Sequence, residues 1–300
     1  MPTAHQLIST QAVPHPLAGT AAFSTLSSAT TGRRSVMPTA HQLTFAHAVP
    51  YPLVLVLLPP SETKSDGGTD VPLELESLAM PQLTAVRDRL IDEVVKLAAD
   101  PDASRAVLGL GKGADTEIAR NSTLRTSATR PALERYTGVL YDALDVRSFT
   151  KVQRAKAYAR LGIGSALFGA VRADDLIPAY RLSGGSKLPG LPTLSAIWRD
   201  VLPDALVAEA AGELVIDLRS GTYQQLGRIP EAITANVLTE HPDGSRTVVS
   251  HFNKHHKGLL ARALVLTRAE PTDIRAVARI ATKSGLRTEI ASPTELLIIT

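Results

Sequence analysis

The chain of 300 residues has no cysteine. That excludes disulfides, thiolate catalysis, zinc ribbons and protein-ligated iron–sulfur clusters, and makes a reducing, cytoplasmic setting the natural expectation. Aromatic residues are scarce, at 4% with Trp198 the single tryptophan. Any core is therefore mainly aliphatic, and an apolar fraction of 44% is ample to build one. No apolar run approaches the roughly 20 residues of a membrane helix; Leu53-Val-Leu-Val-Leu-Leu58 has the length of a strand, so no membrane partner is expected. A strong excess of charge is missing too. The formal net charge of +3 does not by itself mark a nucleic-acid partner, so what counts is where the cations sit.

Acidic residues are absent from the first fifty positions. There, Met1-Pro-Thr-Ala-His-Gln-Leu7 recurs as Met37-Pro-Thr-Ala-His-Gln-Leu43, and Ala12-Val-Pro-His-Pro-Leu17 returns as Ala48-Val-Pro-Tyr-Pro-Leu53. A duplicated Ser, Thr, Pro and Ala-rich stretch has little to bury, so residues 1–52 are expected to be a disordered leader. Its acid-poor composition with Arg33 and Arg34 has the character of a targeting peptide. The abrupt change to strand-like sequence also suggests translation from Val54, with the upstream part a start-site error.

From residue 53 onward the chain alternates strand and helix signals unevenly. Leu53–Leu58 reads as a buried strand stopped by Pro59-Pro60. Leu83, Val86, Leu90, Val94 and Leu97 recur at helical spacing behind Pro81. Further helices are expected over 115–124, 150–161 (basic), 195–202 and 272–284. Strand signals lie at 178–183, 213–218, 232–240, 246–252, 287–291 and 295–300, with a hairpin turn at His241-Pro-Asp-Gly244. A helix is expected from His256. The expected fold is a mixed-sheet α/β (α+β) domain over residues 53–300, with helices flanking a central sheet.

Polar clusters stand where strands end: Ser61, Glu62 and Lys64; Asp217, Arg219, Ser220 and Tyr223; and Ser250 through Lys257. Polar groups at the ends of buried strands are the usual way to build a cleft, although strand ends carry polar loops in any case. His251, His255 and His256 invite a metal reading. Adjacent histidines cannot face one way on a helix, no His-x-x-x-His spacing occurs, and no carboxylate is close in sequence. A solvated or phosphate-facing basic patch is preferred, with no tight metal site and no cofactor. Leu108-Gly-Leu-Gly-Lys-Gly113 lacks the Gly-Lys-Ser/Thr ending of a phosphate loop and is read as a linker between helices. Leu161-Gly-Ile-Gly-Ser-Ala166 has the Gly-x-Gly spacing of a helix-hairpin-helix turn, a spacing also met in close-packed strands. Tyr180 and Trp198 can stack on bases, though burial is their commoner fate.

Taken together, Pro59-Pro-Ser-Glu-Thr-Lys64, Tyr136-Thr-Gly138, Ser165-Ala-Leu-Phe-Gly-Ala-Val-Arg172, Asp175-Leu-Ile-Pro-Ala-Tyr-Arg-Leu182, Trp198, Val215-Ile-Asp-Leu-Arg-Ser220 with Tyr223, and Ser250-His-Phe-Asn-Lys-His-His-Lys-Gly-Leu-Leu-Ala-Arg262 resemble, in this order, the YaaA family of bacterial peroxide stress proteins. The resemblance implies a cytosolic protein that limits oxidative damage and is associated with low free intracellular iron. It also implies a mixed α/β domain with a helix-hairpin-helix-like element and a basic cleft that binds double-stranded DNA. Carried over by position, Lys64, Arg181, Lys187, Lys254, His255, Lys257 and Arg262 are the expected DNA contacts. The first motif departs from the family's Ser-Pro-Ala-Lys by bringing in Glu62. An enzyme acting on a nucleotide or nucleobase is the alternative, with Glu62, Asp217, Ser220 and Tyr223 as catalytic candidates. A monomer is the favoured state.

Overall fold

Four consecutive aliphatic residues with no polar alternation can only be satisfied by burial on both faces, the situation of an interior parallel strand. The computed structural model describes residues 54–248 and 250–300, and for 250–252 the backbone alone. In it, β1 (Leu55–Leu58) is fully buried and runs parallel to a neighbour on either side. Pro59-Pro60 ends it, because proline has no N–H for the ladder. The expected leader over 1–52, its duplication and a start near Val54 lie outside the described residues.

In chain order the remaining strands are β2 (Arg130–Pro131), β3 (Leu161–Ser165), β4 (Gly169–Arg172), β5 (Leu176–Ile177), β6 (Val215–Asp217), β7 (Ile233–Glu240), β8 (Arg246–Val248), β9 (Arg287–Ser292) and β10 (Glu295–Ile299). The helices are α1 (Thr84–Ala98), α2 (Pro101–Leu108), α3 (Asp115–Ser122), α4 (Ala132–Arg135), α5 (Val139–Leu144), α6 (Lys151–Arg160), α7 (Leu194–Trp198), α8 (Leu202–Ala210), α9 (Gly221–Gln224), α10 (Ser250–Leu266) and α11 (Ile274–Lys283). Among the described residues the main sheet has the order β4-β3-β1-β6-β7-β10-β9, with β8 also paired to β7, and β2 and β5 form a separate ribbon. The centre (β3, β1, β6, β7, β10) is parallel, while β4, β8 and β9 join antiparallel. This is the expected mixed α/β architecture of a central sheet flanked by helices.

The helices form where apolar spacing and caps agree. In α1, Leu90, Ile91, Val94 and Leu97 make the buried stripe. Thr150 and Gln153 close a reciprocal capping box at the start of α6, and Asp273 caps α11 by accepting from the Ala276 N–H. Trp198 and Tyr180 are both buried; Trp198 spends its indole N–H on the Ala166 carbonyl at 2.9 Å.

One open reading is settled and two expectations change. First, of the readings left open for Leu161–Ala166, Leu161-Gly-Ile-Gly-Ser165 takes the close-packed strand, β3, and not the turn between helices. A Cβ on Gly162 would stand 2.9 Å from Leu57 Cδ2, and one on Gly164 2.9 Å from Arg219 Cδ, so these glycines serve close packing. A Gly-x-Gly turn between helices does occur, at the stretch read as a linker. There α2 ends on Gly109 in the left-handed region (φ +61°) and Gly111 follows before α3 begins. Second, residues 178–183 pair with no strand, because the backbone of Arg181 is taken by Asn121, which accepts from its N–H at 2.8 Å and donates to its carbonyl at 2.8 Å. Third, β8 stops at Val248 and α10 already runs from Ser250. The polar run expected to be extended is helical, which puts Asn253, Lys254 and Lys257 on one face of α10.

Much of the positive charge is spent inside. Arg87, Arg135, Arg160 and Arg219 are each at most 1% exposed. Arg87 donates to the Phe168 and Ala170 carbonyls, and Arg135 to those of Ile177, Gly67 and Ala128. Their forked donors gather carbonyls that no ladder satisfies.

Candidate functional site

The carboxyl ends of β1 and β6 open into a cleft of about 580 Å³. Its walls are Pro59, Pro60 and Glu62 after β1, Leu218 to Gln224 after β6, Thr234 and Asn236 on β7, Ser183 to Gly185, and Asn253, Lys254 and Lys257 on α10. A crevice outside the carboxyl ends of parallel strands is where open α/β sheets bind ligands, since the loops there are free to vary while the strands hold them rigidly. Here the position follows from β1, which sends its chain to β3 on one side and is flanked by β6 on the other.

α10 supplies the cations because it is held close to α5. Gly258 faces that contact, and a Cβ there would be 2.3 Å from the Leu140 carbonyl oxygen. Lys254, one turn earlier, is exposed in the cleft, with no carboxylate within 4 Å among the described residues. Lys257 is 7% exposed, and its amino group donates to the carbonyls of Leu218 (3.2 Å) and Arg219 (3.4 Å). Burial lowers the pKa of Lys257 to about 8, and the nearby Asp217 charge partly offsets that. Arg219 lies under the cleft, held fork-to-fork by Asp217 at 2.9 and 2.8 Å. Its Nη1 and the Asn253 Oδ1 are buried without a hydrogen-bond partner.

Of the four catalytic candidates, Glu62, Ser220 and Tyr223 line the cleft. Glu62 is paired with Arg181 at 2.9 Å. Tyr223 Oη accepts from the Gly184 N–H at 3.1 Å, and burial pushes the phenol well above its usual range. Asp217 is buried, 3% exposed, and committed to Arg219, so it positions the loop after β6.

The expected DNA contacts divide. Lys254 and Lys257 come together in the cleft, and Arg181 reaches its rim through Glu62. Lys64 sits beside the cleft, 8% exposed. It donates to the Ser61 carbonyl at 3.0 Å and is covered by the Tyr180 ring at 4.1 Å. Desolvation brings its pKa to about 7 despite Glu62. Below it a buried hydroxyl chain links Tyr136, Tyr180 and Ser165 at 2.8 and 2.7 Å. Lys187 is exposed on the loop that supplies Ser183 to Gly185, but does not line the cleft. His255 is exposed with its ring edge-on to His256 at 5.4 Å, also outside the lining. Arg262 is turned away. It donates to the Leu144 and Asp145 carbonyls and to Ser148 Oγ, lies over the Phe149 ring, and so ties α10 to the end of α5. Sequence reasoning missed Thr234 and Asn236, whose signal was two polar residues on alternate positions of an otherwise apolar strand.

Fold and site thus define a mixed α/β protein whose cleft at the strand ends is lined by hydroxyls, amides and lysines. The sequence model described as "Peroxide stress protein YaaA" matches residues 54–288. The UPF0246 protein of Corynebacterium efficiens is 51% identical over 241 residues, covering 79% of this chain and 95% of the relative. A UPF0246 protein of Corynebacterium glutamicum is 48% identical with the same coverage, and one from Streptomyces coelicolor is 46% identical over 73% of this chain and 85% of its own length. The chain belongs to the YaaA family of peroxide stress proteins.

Proposed function

We propose that this protein acts in peroxide stress by binding double-stranded DNA along the α10 face of the cleft. The observation that carries this reading is the pairing of exposed Lys254 with Lys257 beside unsatisfied Asn253 and Arg219 atoms, at the carboxyl edge of the sheet. Lys254, an exposed cation without a carboxylate partner among the described residues, attracts phosphate at little desolvation cost. A second contact is supplied by the turn between α2 and α3, where Gly109 and Gly111 let backbone amides approach a phosphate and Lys112 is exposed. The Asn121–Arg181 hydrogen bonds tie α3 to the cleft rim.

On this reading the protein works in the cytoplasm as a monomer, in association with low free iron, and holds no tight iron site of its own. Fluorescence anisotropy with a labelled duplex tests DNA binding: micromolar or tighter binding that weakens with salt is expected, and no binding at 50 mM salt overturns it. Iron titration by calorimetry checks the second statement, since tight stoichiometric uptake would contradict it.

A further inference from the structure

Two lysines with buried amino groups flank the same strand ends, and they differ in what covers them. Lys64 is closed over by Tyr180 and Tyr136, with ring centroids 4.1 and 5.3 Å from its nitrogen. Lys257 lines the cleft. A neutral amine has two N–H bonds and one lone pair. The carbonyls of Leu218 and Arg219 accept the two N–H bonds of Lys257, and the remaining tetrahedral position meets no partner among the described residues. The charged and titratable groups around it are Asp217 and Arg219 at the end of β6, Lys254 on its own helix, Glu62 after β1 and Tyr223 on α9. Asp217 is occupied by Arg219, and Glu62 by Arg181. Neither carboxylate therefore forms an ion pair that would hold Lys257 as an ammonium.

We infer that Lys257 is a carbonyl-capturing amine, whose partner is the open-chain aldehyde of a phosphate-bearing deoxyribose. The Lys257 nitrogen adds to the aldehyde carbon, a proton passes from nitrogen to oxygen, and the carbinolamine loses that oxygen as water to leave a carbon–nitrogen double bond. Tyr223, which lines the same cleft, is assigned to protonate the departing oxygen and to take back a proton from the resulting iminium nitrogen. Its Oη accepts from Gly184 and donates to no described residue, and burial keeps the phenol protonated. The lowered pKa of Lys257 leaves an appreciable fraction as free amine near neutrality. Lys254 and the amides of the cleft hold the phosphate. Peroxide-derived radicals release bases from DNA and leave such aldehydes behind, so the choice of a deoxyribose aldehyde rests on the DNA-binding reading above.

The test is reductive trapping of the full chain with borohydride on two probes, a duplex holding one abasic site and free 2-deoxyribose 5-phosphate. Hydride reduces the imine to a stable secondary amine, and peptide mapping of the wild-type adduct locates it. An adduct on Lys257 is expected, together with a fall of about tenfold or more in trapped protein for Lys257→Arg, which keeps a cation but forms no imine. Tyr223→Phe should slow trapping by a larger factor than any loss it causes in duplex affinity. Binding of the duplex with no adduct on either probe overturns the inference and leaves the DNA reading standing. An adduct with the free sugar phosphate, without duplex binding, does the reverse. An adduct mapped to another amine, or undiminished in Lys257→Arg, overturns the role of Lys257 outright.

Discussion

Two cavities of nearly equal size stand at opposite ends of the parallel strands. One, of about 570 Å³, lies at the amino ends of β1 and β6 and is lined by Val54, Val207, Leu214, Val215 and Ile229, with Glu213, Glu231 and Glu270 around them. The other, of about 580 Å³, lies at the carboxyl ends and is lined by hydroxyls, amides, Lys254 and Lys257. Size does not separate them; chemistry and construction do. The amino-end cavity borders Gly212, where a Cβ would meet nothing within 4 Å. Behind the carboxyl-end cavity α10 is fixed by a glycine contact with no room at all. Each cavity holds a buried polar atom without a partner, Glu270 Oε1 at the amino end and Arg219 Nη1 and Asn253 Oδ1 at the carboxyl end, but only the carboxyl end sets lysines beside them. A tightly packed surface that carries cations is the one to connect with an anionic ligand.

The largest expected effect tests construction. Gly258→Ala forces a methyl group onto the Leu140 carbonyl and should destabilise the fold by about 3 kcal/mol, read as a fall in the denaturant midpoint. Gly212→Ala in the other cavity faces open space but has φ +83°, and should cost only about 1 kcal/mol. Equal losses would erase the distinction.

Next comes protonation at the carboxyl end. The pKa of Lys64 in the folded protein is about 7, below its ordinary value of 10.5. The unfolded chain therefore binds more protons between those values, and the Lys64 contribution to stability is full above about 10.5 and lost as pH falls towards about 7. Wild-type protein should lose stability relative to Lys64→Met across that window, by a margin that levels off below it. Denaturant melts of both proteins at matched pH measure this, and a pH-independent difference would contradict it.

Smaller again is the effect on affinity. Lys254→Glu should weaken duplex binding by about tenfold at low salt, for all sequences alike, because a phosphate contact carries no base information. Glu231→Gln at the amino-end cavity should change it by less than about twofold. Anisotropy titrations on one labelled duplex compare them, and a larger effect from Glu231 would move the site to the other end of the sheet.

How far these contrasts were legible from the residues varies along the chain. β1, α1, β6, α11 and the hairpin around His241–Gly244 follow from apolar period, caps and turn residues. The start of α10 did not, because Asn253 to Lys257 has no apolar period and β-branched residues precede it. Gly162 and Gly164 carry no local sign of whether they turn or pack; that depends on Leu57 and Arg219, distant in sequence. The cleft was legible as three polar clusters at strand ends, all of which meet in it through Glu62, Ser220, Tyr223, Lys254 and Lys257. Lys64, Asp217 and Arg262 could not be sorted from true lining residues, since a charged letter does not reveal that its side chain is consumed by a ring, a guanidinium or a row of carbonyls. The Gly-x-Gly turn of α2 and α3 was passed over as a linker because its phosphate-loop ending was wrong.

The most direct test of the account is the salt dependence of duplex affinity for wild type and Lys254→Glu. The logarithm of affinity should fall linearly with the logarithm of salt concentration, and the variant's slope should be shallower by about one unit for each phosphate contact removed. An unchanged slope in the variant, or binding indifferent to salt, would contradict the placement of the nucleic-acid backbone in the cleft at the carboxyl ends of the strands.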